Sequence, residues 1–330
     1  MAKIKDIAEK TGFSITTISR VLNQDKSFNV SDETRLTIMT AAEELNYKPL
    51  SQRGKASKKK KGLTVGLIYW YSVAEELTDP YYLSIRLAIE NYCNGHDFNL
   101  KKIYLPDKTI PELKEMALHG VIAVGKYSPQ EIQGLKSISP HLILVDCYTK
   151  DYEIDVVKAD LVEATEEALT YLAEIGIANV GYIGGVESTL DGEILKDGRM
   201  QAFLSHGKDK EENIHLGSFT ADSGYELMTG IIQAGCLQSA YLVGSDAMAI
   251  GVLKALNEHR INVPKDVSVV SFDNIALSQY TIPALTTIDM NTTIMGETAA
   301  QLLGERLATG RTVAKKVFIP TRLIRRDSTF

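Results

Sequence analysis

Cysteine is scarce: Cys93, Cys147 and Cys236 are the only three in 330 residues, far apart, odd in number and in no metal-ligand spacing. That argues against a disulfide framework or a cysteine-held metal and for buried thiols in a reducing cytoplasm. Long apolar runs are also missing, since no stretch approaches the roughly 20 apolar residues of a membrane span. Charges at Lys3, Lys5, Asp6, Glu9 and Lys10 break up the start of the chain, so neither a signal peptide nor a membrane partner is expected. Chemical motifs are lacking too. There is no GxSxG, GxxxxGK[ST], HExxH or GxGxxG, and the six histidines never pair at i+3 or i+4. No catalytic residue, metal or cofactor is expected.

What is present begins at Lys3. Ile4, Ile7 and Ala8 recur at helical spacing, Gly12 interrupts, and Ser14 can cap a second helix that turns Ile18, Val21 and Leu22 inward and Ile15, Thr16, Ser19 and Arg20 outward. Helix, short turn with Gly, and helix is the helix-turn-helix plan, in which the second helix enters the DNA major groove. An ordinary helical hairpin with a solvated Arg fits this stretch equally well. A third helix over residues 32 to 46, capped by Ser31, brings Ile38, Ala42 and Leu45 to close a small core. After Pro49 comes a basic run, Arg53, Lys55 and Lys58 to Lys61, which serves as a solvated linker, a phosphate-tracking arm, or both. Residues 1–62 hold 13 Lys and Arg against 7 Asp and Glu, while the remainder holds 23 against 35. A basic head on an acidic body steers one end of the molecule to a polyanion.

The order K-D-I-A, G-F-S, T-T-I-S-R-V-L-N, V-S-D-E-T-R and E-L-N-Y-K-P over residues 3 to 49 resembles the DNA-binding headpiece of the lactose-repressor family of bacterial transcription regulators. The resemblance implies that Ile15, Thr16 and Arg20 read base edges beside Ser19. It implies that Ser14, Asn23, Ser31, Thr34 and Tyr47 hold the phosphate backbone, with Arg53 and Lys55 as basic contacts. One departure stands out: where the family's hinge helix wedges a Leu into the minor groove, this chain has Ala56.

From residue 63 apolar strands alternate with amphipathic helices, the pattern of parallel sheets with helices on both faces. The pattern restarts near residue 154, giving two lobes. The predicted fold is a small all-α headpiece (1–48), a basic hinge (49–62) and an α/β core (63–330) of two doubly wound parallel-sheet lobes. Lobe one takes about 63–159 plus 290–330, lobe two about 160–289. A helix opening at Asp79-Pro80 is expected to bury Leu83, Leu87 and Tyr92.

In such sheets ligands bind beyond the carboxyl ends of the strands, and Asp79, Asp146, Asp246 and Asp273 all fall there. Each can be a helix cap; facing one another across two lobes, they would suit a neutral, hydroxyl-rich ligand. S-D-A-M-A-I-G-V-L, S-F-D-N and P-A-L-T-T-I resemble the family's sugar-binding core, which is similar to periplasmic sugar-binding proteins. By motif position, Asp146, Arg199, Asp246 and Asp273 carry over as effector contacts. Phe219 carries over as an aromatic against the sugar, with core packing as its alternative. Trp70, Tyr81 and Lys126 are further candidates. D-P-Y-Y-L-S-I-R, F-T-A-D-S-G-Y-E-L and V-G-K look most like the branch of the evolved β-galactosidase repressor and galactose repressors, which implies galactose or a galactoside. The expectation is a cytoplasmic homodimer on approximately palindromic double-stranded operator DNA, released by a small sugar. The alternatives are a regulator answering to a phosphorylated carrier protein or a nucleobase as corepressor, a secreted sugar-binding protein, and a glycoside-acting enzyme.

Overall fold

The computed structural model describes residues 4–22, 28, 30–45, 47, 62–73, 76, 80–189, 192, 194–195, 197–206 and 211–330, with Asp32, Glu43 and Pro106 as backbone only. Asn23, Arg53, Lys55, Ala56, the Lys58 to Lys61 run and Asp79 lie outside the described residues. The chain divides into two compact units, Met1–Gly62 and Leu63–Phe330.

The first unit holds helices α1 (Ile4–Thr11), α2 (Ile15–Leu22) and α3 (Asp32–Glu44). Gly12 ends α1 at φ +73°, a left-handed conformation that a glycine adopts without a Cβ clash. The Ser14 hydroxyl accepts from the Thr17 N–H at 3.1 Å, and Ser31 does the same for Thr34 at 3.2 Å, so both helices start on side-chain caps. Ile7, Ile18, Val21, Ile38, Ala41 and Ala42 form the core, with Ile4, Phe13, Phe28 and Leu45 packed around it.

The second unit is built on two six-stranded sheets. Strands β1 (Thr64–Tyr69), β2 (Asn99–Tyr104), β3 (Gly120–Val124), β4 (Leu142–Val145) and β5 (Asp155–Ala159) make the first. Strands β6 (Val180–Gly185), β7 (Ile214–Gly217), β8 (Ala240–Val243), β9 (Ser268–Asp273) and β10 (Thr286–Asp289) make the second. The last two strands part company: β11 (Lys316–Ile319) joins the first sheet beside β5, and β12 (Arg322–Ile324) joins the second, antiparallel to β10. The resulting orders are β11-β5-β4-β3-β1-β2 and β12-β10-β9-β8-β6-β7. All pairings are parallel except β12 with β10. The central strands, covered on both faces, are apolar, and β3 and β4 are buried at every position.

The expectation that all of residues 290–330 returns to the first lobe is therefore corrected. The helix Thr292–Thr309 packs against Pro80–Gly95 in the first lobe, but after Pro320 the chain crosses once more. Ser328 fastens the tail to the second sheet, its hydroxyl donating to the Val269 carbonyl at 2.6 Å and accepting from the Thr286 N–H at 2.8 Å. The helix Pro80–Gly95 also buries a different face from the one expected. Tyr81, Tyr82, Ile85, Ala88, Ile89 and Cys93 turn inward, while Leu87 is 46% exposed. Two apolar stripes run along this helix, and the one carrying the tyrosines wins. Cys93 and Cys147 are buried, whereas Cys236, just past a helix-ending glycine, is exposed, against expectation. Among the described residues no helix is long and apolar enough to cross a membrane.

Candidate functional site

Two surfaces carry the candidate residues, one in each unit. On the first unit, α2 keeps Ile18 and Val21 in the core, so helical spacing leaves Ile15, Thr16 and Arg20 exposed on the opposite face, with Ser19 half-buried at its margin. Ile15 is 43% exposed, which leaves a methyl-rich contact facing out. The Arg20 guanidinium lies over the Phe28 ring, 4.8 Å from its centroid, which holds the head against one side of the helix. Ser14 and Ser31 are exposed at the starts of their helices, Thr34 is partly exposed, and Tyr47 is half-buried against the core. Helix N-termini with free N–H groups are where backbone phosphates bind.

On the second unit a cleft opens where the carboxyl ends of the two sheets meet. Its central compartment is lined by Tyr81, Tyr82, Lys126, Asp146, Leu161, Glu187, Arg199, Phe219, Ser245, Asp273 and Met290. Asp146 follows β4 at φ +58° and Asp273 closes β9 at φ +108°. Both are conformations that cost an L-residue energy and that the surrounding fold must hold in place. The Asp146 carboxylate accepts from the Tyr82 hydroxyl at 2.9 Å and pairs with the Lys126 ammonium at 2.9 Å. Lys126 in turn lies 3.6 Å from Glu187, which follows β6 in the other lobe. Burial alone would lower the Lys126 pKa; the Asp146 and Glu187 carboxylates outweigh it, and the net shift is upward, so the ammonium stays charged. Burial raises the Glu187 pKa, an effect that Lys126 and Arg199 only partly offset.

Arg199 is the second anchor. Asp197 caps its helix, accepting the Arg199 N–H at 2.8 Å, and takes the guanidinium at 2.9 to 3.1 Å. Burial tends to raise the Asp197 pKa, yet the Arg199 charge and hydrogen bonds prevail and hold the carboxyl below its ordinary value. The guanidinium stacks on Phe219, 4.8 Å from the ring centroid. Room for that ring comes from Gly185, where a Cβ would lie 2.2 Å from it. Phe219 thus lines the cavity beside cationic and acidic groups while also packing against the core of the second lobe. Such a lining, a few fixed polar groups among the aromatic side chains of Tyr81, Tyr82 and Phe219, suits a hydroxyl-rich ring.

Of the candidates named from sequence, Asp146, Arg199, Phe219, Asp273, Lys126 and Tyr81 meet in this compartment, and Trp70 lines an adjoining one. Asp246 does not. It is fully buried beneath the helix it opens, with one oxygen taking the Ser271 and Thr287 hydroxyls and the other the Ile275 N–H at 2.8 Å. Burial outweighs these bonds and pushes its pKa up to about 6. Asp246 is therefore corrected from effector contact to a tie between β9, β10 and the loop after β9; the cavity is reached instead by its neighbour Ser245. Asp246→Ala should cost roughly 3 kcal/mol of stability, because three donors lose their acceptor, while ligand affinity of the folded fraction stays near wild type. Urea titration and calorimetry on one preparation would check this; a stable variant blind to ligand would return Asp246 to the cavity.

Sequence reasoning missed Tyr82, Glu187, Ser245 and Asp197. Glu187 lay within reach of the rule that found the aspartates, since it follows the carboxyl end of a strand. Tyr82 had no comparable signal.

The family model for bacterial regulatory proteins, lacI family, matches residues 3–50, and one for a periplasmic binding protein-like domain matches residues 169–329. The HTH-type transcriptional regulator GalR of Lacticaseibacillus casei is 36% identical over 335 residues, covering 99% of this chain and 99% of its own. The HTH-type transcriptional repressor MelR of Bacillus subtilis (strain 168) is 35% identical over 338 residues, 99% of this chain and 97% of its own. Among solved structures, a transcriptional regulator CelR–cellobiose complex aligns with a TM-score of 0.71 at 22% identity over 99% of this chain and 100% of that one, a likeness of fold.

Proposed function

The chain belongs to the lacI family of bacterial regulatory proteins, and from that membership we propose that it is a sequence-specific DNA-binding repressor whose second unit binds a small sugar, galactose or a galactoside, and thereby loosens the hold on operator DNA. The observation that carries the sugar half is the cavity in which Asp146, Lys126, Arg199 and Asp273 converge around the Phe219 ring. The observation that carries the DNA half is the outward face of α2, with Ile15, Thr16 and Arg20 together.

The protein acts as a cytoplasmic homodimer on the nucleoid, because two identical headpieces need two half-sites related by the same two-fold symmetry. Residues 1–48 are the reading head, 49–62 the basic connection and 63–330 the receptor and dimerisation core. Sugar bound between the lobes favours one setting of the cleft, and DNA favours the other. By linkage each weakens the other by the same factor, typically ~1–3 kcal/mol.

Titrating sugar into a protein–operator gel shift tests this reading. Release of the duplex supports it, whereas tightening by sugar, by a nucleobase or by a phosphorylated carrier protein would replace induction with corepression. Turnover of an aryl galactoside would replace the regulator with an enzyme. Arg20→Ala should cost roughly 1–3 kcal/mol of operator affinity and relax base preference at one position per half-site. Competition between operator and point-altered duplexes measures it, and unchanged discrimination would remove Arg20 from base reading.

A further inference from the structure

Arg20 sits in the last turn of α2, a helix of eight residues, where the backbone alone does little to fix a long side chain. An exposed arginine keeps its rotamers until it binds, and that freedom is lost on the DNA. Phe28, between α2 and α3 in the chain, changes this. It packs against the core of Ile7, Ile18, Val21 and Ile38, as Val30 and Leu45 also do, yet it is only half-buried. The Arg20 guanidinium lies over its ring, 4.8 Å from the centroid. The attraction is between the cation's charge and the negative face of the ring. It therefore does not depend on the paired N–H donors that guanine O6 and N7 would take. One side chain can be held by the ring and still present its fork to a base.

We propose that Phe28 is a positioning residue for Arg20: by holding the guanidinium in place before DNA arrives, it sets how sharply Arg20 discriminates at the base pair it reads. The inference rests on the DNA-binding reading above and adds a residue outside the reading helix on which base choice depends. Phe28 acts through Arg20 and touches no base itself. Contact with the core gives the ring a fixed place, and contact with the cation passes that place on to the outer face of α2. Phe28→Leu keeps apolar packing against the core but loses the negative face, whereas Phe28→Tyr keeps both. The two substitutions separate positioning from mere filling of space.

In the experiment, full-length protein first selects a duplex from a random pool, and competition then measures binding to that duplex and to versions altered at single base pairs. Arg20→Ala identifies the base pair that Arg20 reads, as the position where preference collapses. At that pair Phe28→Leu should reduce discrimination about two- to fivefold, the worth of an exposed contact between a cation and a ring. Preferences elsewhere and binding to random DNA should not change. Phe28→Tyr should keep the wild-type ratio. In an Arg20→Ala background Phe28→Leu should have no further effect on discrimination, because the ring then has no cation to hold. A loosened headpiece would instead weaken every position together, with or without Arg20. Should Phe28→Leu discriminate as well as wild type, or weaken all positions alike, the positioning role is refuted and the DNA-binding reading survives. Unaltered preference in Arg20→Ala refutes it too. Should no duplex be selected over random DNA, the DNA-binding reading falls, and the positioning role with it.

Discussion

Arg199→Met lowers the unfolding free energy by about 3–5 kcal/mol, because Asp197 is then left as a buried carboxylate without its cation. The pair is almost wholly enclosed, with side-chain exposures of 9% and 10%, so solvent does little to screen the loss. Arg199 also donates to the Gly244 carbonyl and stacks on Phe219, so the same change frees the ring that faces the ligand. Arg199→Met combined with Asp197→Asn recovers most of the stability, since the orphaned charge is gone, but leaves sugar binding lost. Urea unfolding followed by circular dichroism gives the first quantity and calorimetry the second. A single variant as stable as wild type would mean that the pair carries no net weight. The pH dependence follows with a definite sign. Asp197 is held below its ordinary value of 3.8, so its contribution is present above that pH and is lost as pH falls through the folded value. Asp197→Asn loses this acid-dependent part.

Asp273→Asn raises the sugar concentration needed for release about ten- to a hundredfold, with operator affinity in the absence of sugar unchanged. Asparagine tolerates the left-handed backbone at φ +108° better than alanine does, so the substitution removes charge with little added strain. A hydrogen bond between a carboxylate and a ligand hydroxyl is worth roughly 1.5–3 kcal/mol, or about ten- to a hundredfold in affinity. A gel shift with increasing sugar reads both affinities in one experiment. Normal release in the variant would move the effector contacts away from β9.

Much of the architecture was open to a reader of the sequence because buried parallel strands are written as uninterrupted apolar runs. GVIAVG and HLILVD needed no structure to be placed in a sheet. The headpiece was legible for another reason: Ser14 and Ser31 announce their helices and Gly12 its break. The second crossing near Pro320 was not legible. A proline inside VFIPTRLI ends one strand, but which sheet takes the next strand is fixed by Ser328 and Arg326 reaching back to Val269, Thr286 and Leu285. Asp246 marks a deeper limit. Its position after a strand was read correctly, but the side of the helix start from which its carboxylate leaves depends on the hydroxyls of Ser271 and Thr287, which lie 25 and 41 residues away. Leu87 failed for a related reason, since neighbouring apolar stripes on one helix are separated only by what packs against them.

The placement of β11 bears on how the protein is made. Asp155, wholly enclosed at the start of β5, is neutralised by Arg306 and Arg311 and takes the Lys315 N–H at 2.7 Å. Those partners leave the ribosome about 150 residues after it, as the distances of 156 and 160 positions require. At ~5–20 residues per second, the first lobe waits on the order of ten seconds or more for its own edge strand, while all but the last strand of the second lobe has already been synthesised. A messenger cut short before Lys316 would yield a chain with β5 unpaired on one side, a ready template for aggregation.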